Sequence, residues 1–393
     1  MNKIQKLIAE LCPQGVEFKK LGELGDFENI GVDKKIITGQ KSVMLLNFMD
    51  IMRNKHITKD ILSMEVTASD SKIEKCDIKK HDIFITPSSE TRDEIGFTAV
   101  VDEDIPNAVY SYHIMRYRLY DKNDVTPYFI SYLFESEDLR NQIFKASKGL
   151  TRFGLSAKDF AKLQIPFPPL AIQQAIVNIL DKFTELEAEL EAELEARKKQ
   201  YEHYRNELVV SDKWLEVSLG EVCDVFTGGE APANCIKGLE PNEIYKYPIF
   251  ANGIEIYGFT DSYKINKDAV TISSIGANTG AIYYRKAYFT PIIRLKVLVP
   301  KNDDLLSRYI FHYLSSITIS SKKSSVPNMN ADDVKKIKIP IPPLEEQNRI
   351  VVILDKFDAL VNDISVGLPA EIKMRRQQYE YYRNKLLTFE KAA

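Results

Sequence analysis

"IPFPPLAIQQAIVNILDKF" fills residues 165–183, and "IPIPPLEEQNRIVVILDKF" fills residues 339–357. The first proline of each copy, Pro166 and Pro340, lies 174 residues from its counterpart, so the chain is built on an internal repeat. Within each copy a Pro-Pro pair precedes an apolar periodicity of three and four residues. Proline suits a helix start because the first turn needs no backbone N–H there. After Pro169 the apolar positions run from Ile176 through Leu180, Phe183, Leu186, Leu190 and Leu194 to Tyr201, Tyr204 and Leu208. That stripe predicts one helix of almost forty residues, roughly 58 Å long at about 1.5 Å per residue. A stripe so long and so narrow calls for a partner helix along its length. The second copy offers one: it runs from Leu344 through Leu354, Phe357 and Val361, breaks at Gly367, and resumes through Tyr379, Tyr382 and Leu386.

Further landmarks repeat in the same order. "RKKQYEHYRNEL" (197–208) returns as "RRQQYEYYRNKL" (375–386), and the spacing there, 178 residues, gives the second copy four more residues between its landmarks. Upstream, "LGELGDF" (21–27) matches "LGEVCDV" (219–225), "YFISYLF" (128–134) echoes "YIFHYLS" (309–315), and "SAKDFAKLQIP" (156–166) echoes "NADDVKKIKIP" (330–340). Each half therefore consists of a variable domain, a proline hinge and a helix.

The variable parts, 15–165 and 213–338, carry short Ile/Val/Phe/Tyr/Thr runs broken by Gly, Asn and Asp, which predict short strands and turns. One helix is expected around 127–147 and another around 303–315. The fold class is thus α+β: two α/β domains separated by two long helices that form an antiparallel coiled-coil spacer with a pseudo-twofold repeat. The divisions are 1–165 and 211–338 for the domains, 166–210 and 339–393 for the spacer helices.

Bulk properties narrow the class. With 393 residues the chain is too long for one ordinary core. Charged residues make up 28% and hydrophobic ones 44%, and no apolar run of about 18 residues could span a bilayer. The opening "MNKIQKLIAELCPQGVEF" lacks the apolar stretch of a signal peptide, so a cytoplasmic location is expected. Cys12, Cys76, Cys223 and Cys235 are scattered, as are the five histidines, which leaves zinc and thiol redox sites without support. A net charge of -3 means that any nucleic-acid surface must be local.

On these residues the chain resembles the specificity subunits of type I restriction-modification systems. The resemblance rests on the two proline-helix copies, the two "QYExYRN" copies, the ending "GLPAEIKMRRQQYEYYRNKLL" (367–387) and the opening "LIAELCPQGVEFKKLGEL" (7–24), and it covers essentially the whole chain. It implies that each variable region is a target-recognition domain reading one half of a split double-stranded DNA sequence. It also implies that the paired helices fix the gap and dock two methyltransferase subunits, with motor-nuclease subunits joining to complete restriction. S-adenosylmethionine, ATP and magnesium would belong to those partners, and no cofactor or metal to this chain.

The residues themselves carry no catalytic constellation. "SIGANTG" (274–280) lacks the spacing and Lys-Ser/Thr ending of a Walker A loop, and "FPPL" and "IPPL" are apolar hinges rather than the Asn-Pro-Pro-aromatic run of adenine methyltransferases. DNA contacts must come from Lys and Arg at phosphates and from side chains at base edges. One slot directly precedes each spacer helix: "KASKGLTRFGLS" (145–156) with Lys145, Lys148, Thr151 and Arg152, and "SSKKSSVPNMN" (320–330) with Lys322, Lys323, Ser325, Asn328 and Asn330. A second slot follows a strand-like run in each half, with Ser88, Ser89 and Arg92 in one and Asn278 in the other. Arg53, Lys55 and Asn252 complete the candidates.

Two other readings stay open: a coiled-coil scaffold whose domains bind protein, and a self-contained DNA enzyme. "TELEAELEAELEAR" (184–197) adds a further expectation. Its four-residue repeat reads as a ruler between half-sites, with Glu193–Arg197 and Glu195–Lys199 as supporting pairs.

Overall fold

The computed structural model describes residues 3–121, 123–210, 213–238, 240–276, 278–317 and 329–392. The helices that matter below are α1 (Pro127–Leu133), α2 (Glu137–Ala146), α3 (Leu170–Val209), α4 (Ser307–Ser316), α5 (Leu344–Asn362) and α6 (Leu368–Leu387). The expected forty-residue helix is α3, with 40 residues. The helix expected at 127–147 is two, because Ser136 stops one and caps the next, its hydroxyl accepting from the Leu139 backbone N–H. The chain divides into two compact units, Met1–Ala188 with Met374–Ala393, and Glu189–Lys373.

In the first unit a five-stranded sheet runs in the order Gly25–Glu28, Met115–Leu119, Ile83–Ile85, Thr98–Val101, His56–Ile57. A three-stranded sheet, Met64–Ala68 beside Lys41–Leu46 beside Ala108–Tyr110, adjoins it through shared core residues such as Phe84 and Tyr110. Helix α1 is apolar almost all round, so it lies buried between the larger sheet and the start of α3, where Ile172, Ile176 and Leu180 are sealed from solvent. The second unit repeats the plan with a four-stranded sheet, Cys223–Thr227, Lys296–Pro300, Ala269–Ile272, Ile282–Arg285, packed on α4 and α5.

Each unit ties its α/β part to its spacer helix with the same pair of side chains. Gln173, wholly buried, accepts the Thr126 N–H (3.0 Å) and donates to the Asp124 and Pro168 carbonyls (2.9 and 2.7 Å). Gln347 does the same with the Leu306 N–H (2.9 Å) and the Asp304 and Pro342 carbonyls (2.8 and 2.9 Å). Two turns further on, Asp181 accepts from Tyr132 Oη (2.6 Å), while Asp355 meets His312 Nε2 (2.7 Å) and Arg308 Nε (2.6 Å). These bonds equate Thr126 with Leu306 and Tyr132 with His312. The sequence echo of 128–134 with 309–315 is therefore out of register by one residue. The shared "YxxxYL" letters favour that slip, whereas hydrogen bonding decides the true alignment.

The spacer helices pair antiparallel within the first unit. Phe183 of α3 stacks near Tyr379 and Tyr382 of α6 (centroids 6.4 and 5.7 Å), and Glu187, four residues on, meets Arg376, three residues back from Tyr379. In the second unit Tyr201 and Tyr204 stack on Phe357 of α5 (6.3 and 5.5 Å). The leucine stripe between these contacts departs from expectation: Leu186 is 47% exposed and Leu190 and Leu194 are half-buried. A strict four-residue repeat advances about 40° per step, so the leucines rotate away from a fixed seam. Arg197 does bond Glu193 (2.7 Å), but Glu195 takes Lys198 (3.0 Å), three residues on, in place of Lys199.

Candidate nucleic-acid interface

In the first unit the two sequence slots meet. Ser88–Ser89 and Phe153–Gly154 pair as short antiparallel strands, which draws loop 145–154 onto loop 86–92. The tip closes on itself through Lys148 N–H to Gly154 O (3.1 Å) and Gly154 N–H to Lys148 O (2.9 Å). Gly149 has φ +136°, and a Cβ there would stand 1.9 Å from the Arg152 carbonyl oxygen, so only glycine fits. Lys148, Thr151 and Arg152 are exposed, and the Arg152 guanidinium reaches Ser88 Oγ at 3.3 and 3.4 Å. Together Ser88 and Arg152 border a cleft of about 380 Å³ that Asn29, Tyr112 and His113 also line. Burial, helped by the nearby Arg152 and Lys34 charges, holds the His113 imidazole below its usual range and so keeps it neutral at pH 7.

The remaining candidates of this unit have other surroundings. Lys145 is exposed near the end of α2. Ser89 is buried and donates to Glu94, while the Arg92 guanidinium is sandwiched by the Phe144 and Phe153 rings (4.8 and 4.6 Å). Arg53 is exposed beside a separate cleft, and Lys55 spends its charge on Glu135 (2.5 Å) and Tyr379 Oη (3.0 Å).

In the second unit the corresponding pole gathers residues 252–254, 273–276, 278–280 and 292–295. Asn252 Oδ1 accepts the Ser274 N–H (2.7 Å), its amide donates to the Ile293 carbonyl, and Asn278 Nδ2 approaches the Asn252 carbonyl (3.5 Å). Arg285 holds this loop from below by donating to the Gly253 and Ile254 carbonyls (2.7 and 2.9 Å) while lying over Phe250. With no carboxylate beside it, burial pushes its guanidinium down to about 10. Met329 joins the cluster through its N–H to Ser274 O (2.9 Å), and Asn330 caps the next helix by accepting the Asp333 N–H (2.8 Å). Lys322, Lys323, Ser325 and Asn328 lie outside the described residues.

Asn29, Tyr112, His113, Ile293 and Arg294 reach these poles without any signal in the sequence reading. Their common trait is a glycine pressed against a turn, Gly31 in one half and Gly228 in the other. Among the described residues no group of three or more His, Cys, Asp or Glu could hold a metal, and no helix is long and apolar enough to cross a membrane.

Comparison with known proteins gives a consistent answer. The profile of the type I restriction modification DNA specificity domain matches residues 13–196 and again 211–374. A Mycoplasma pneumoniae protein named as a type I specificity subunit is 34% identical over 286 residues, spanning 68% of this chain and 83% of that one. The Escherichia coli EcoR124I/EcoR124II specificity subunit is 39% identical over 260 residues, 58% of this chain and 64% of its own length. The crystal structure of the S subunit from M. genitalium superposes with a TM-score of 0.60 at 19% identity, covering 95% of this chain and 96% of that one.

Proposed function

The chain belongs to the type I restriction-modification DNA specificity family, and from that membership we propose that it supplies sequence choice to a methyltransferase and restriction complex while leaving chemistry to its partners. Domains 1–165 and 211–338 each read one half of a bipartite target, and the spacer segments 166–210 and 339–393 set the gap. Those spacers would dock two methyltransferase subunits, and motor-nuclease subunits would complete the restriction form. S-adenosylmethionine, ATP and magnesium act on the partners, in the cytoplasm.

One observation carries the reading. In both units unlike polar loops converge on one topological place, while the residues the halves share are spent on clamping each domain to its helix. In the first half, Arg152, Lys148 and Thr151 stand exposed for phosphates with Ser88 behind them. In the second, Asn278 and Asn252 form the floor. By sequence alone the basic run at 322–323 and the polar Ser325 and Asn328 remain candidates for that half, beside the described Asn330.

Methylome sequencing of a host with and without this chain, supplied with its methyltransferase, tests the proposal. The expected result is an asymmetric bipartite motif methylated on adenine. A continuous or palindromic motif would contradict two independent readers.

A further inference from the structure

Residues 292–295, "IIRL", form a two-residue turn whose central pair, Ile293 and Arg294, has φ +52° and +58°. Such turns are built from Asn-Gly or Asp-Gly because a Cβ disfavours the left-handed region, and a β-branched residue there is an outlier. The strain is held by over-determination. Leu295 N–H closes the turn on Ile292 O (3.2 Å), and the Ile293 and Arg294 N–H groups donate to Gly229 O (2.7 Å) and Gly228 O (2.9 Å). On the other side Asn252 donates to the Ile293 carbonyl and Ser274 Oγ to the Arg294 carbonyl (2.6 Å), with Ser274 wholly buried. A Cβ on Gly228 would meet Ile292 O at 2.7 Å, so that glycine is the seat of the turn.

Ile293 is 43% exposed, Arg294 is exposed, and among the described residues the Arg294 guanidinium has no hydrogen-bond or ion-pair partner. The same slot in the first unit holds Tyr112 and His113, closed by Ile114 N–H to Ser111 O (3.1 Å) and clasped by the Asn29 amide, which, turned so that its nitrogen faces them, donates to the Tyr112 and Ile114 carbonyls (3.1 and 3.2 Å). There the seat is Gly31, where a Cβ would lie 2.2 Å from Tyr112 N. The rings of Tyr112 and His113 lie 4.0 Å apart, and Tyr112 is 45% exposed. The closing hydrogen bond and the glycine seat of the tip recur in both halves while its two display positions differ completely; of the two tips only Ile293 and Arg294 take positive φ, and backbone strain of this kind persists where function demands a fixed presentation.

Building on the proposed function, we infer that this tip is the base-reading element of each half: Arg294 reads a guanine edge, with Ile293 against the neighbouring base, in one half-site, and Tyr112 with His113 discriminates in the other. An exposed guanidinium, without a hydrogen-bond or ion-pair partner among the described residues and carried on a backbone held from both sides, suits the paired O6 and N7 acceptors of guanine. Asn252, Ser274 and Asn29 are positioning residues in this arrangement.

The experiment compares methylomes produced by the intact complex with its methyltransferase. Arg294→Ala should relax one guanine position of a single half-site by about 10- to 100-fold in preference and leave the other half-site and the gap unchanged. His113→Ala should do the reverse. The double variant I293N/R294G, which installs ordinary turn residues, should raise the melting temperature while abolishing that same discrimination, so loss of reading cannot be loss of folding. If the parent complex methylates a bipartite motif and Arg294→Ala methylates it with identical base preferences, the inference is overturned. If the parent shows no bipartite motif, the proposed function itself has failed.

Discussion

Replacing Gln347 with alanine removes the joint between the second recognition domain and its helix, and the cost can be worked from the structure. The side chain is wholly buried and makes three hydrogen bonds, to the Leu306 N–H and the Asp304 and Pro342 carbonyls. Each such bond contributes about 1 kcal/mol net, and stranding its buried partners raises the loss. With the lost methylene packing the variant should be about 4 kcal/mol less stable. At an m-value of about 2–3 kcal/mol/M, the urea midpoint should fall by about 1.3–2 M. Trp214, the one tryptophan of the chain, lies in this unit and its fluorescence reports the transition. Gln173→Ala, assayed by calorimetry, should cost the first unit a similar amount because its bonds are the same three. Gln347→Glu should be no milder: it keeps the acceptor for Leu306 but loses both donors. A midpoint shift below about 0.3 M with an unchanged m-value would refute the reasoning, since the three groups would then be satisfied without the glutamine.

The other predictions are brief. Burial holds the His312 imidazole neutral, below its usual range, against the opposing pull of Asp355. The stability this represents is therefore complete above the unfolded histidine value of about 6.5 and lost as the pH falls below it. Urea midpoints at pH 8 and 5.5 should differ for the parent and converge for His312→Tyr, which copies Tyr132 of the other half. Arg152→Ala, which removes an exposed cation beside Ser88, should weaken DNA binding by the complex across sequences and lower the slope of log affinity against log salt by about 1; an unchanged slope would remove Arg152 from the phosphate contacts. Deleting Glu191 to Leu194 shortens α3 by about 6 Å and should reduce the preferred gap by one or two base pairs at about 3.4 Å per pair. A methylome with the parental gap would make the repeat mere packing.

The spacer was readable because helices announce themselves locally. A Pro-Pro start and a sustained three-and-four periodicity need no distant information, and duplication supplied a second witness for both. The α1 and α4 register was missed by one residue because identity of letters is weaker than the geometry of Gln173 and Gln347, whose partners lie over forty residues away. Of the candidate site, Ser88 with Arg152 and Asn252 with Asn278 do come together. Lys55 is a candidate DNA contact by sequence, yet Glu135 and Tyr379 occupy it, an ion pair formed only by tertiary folding. Tyr112 and His113, and still more Ile293 and Arg294, carried no turn signature. Their conformation is imposed by Gly31, Gly228, Asn29 and Asn252 from elsewhere in the chain.

The glutamine joint has an evolutionary corollary. Its contacts are a backbone N–H and two backbone carbonyls, so it is blind to the identity of the residues it grips: threonine fills the helix-start position in one half and leucine in the other. A recognition module arriving by recombination needs only a helix beginning at the right place and a hydroxyl or imidazole six residues on for the aspartate. Because the same Pro-Pro-Leu, Gln and Asp-Lys-Phe frame follows both modules, at 165–183 and 339–357, an exchange at that frame carries a whole module together with its joint. A population could then acquire new pairings of old half-sites without inventing a single new contact to DNA.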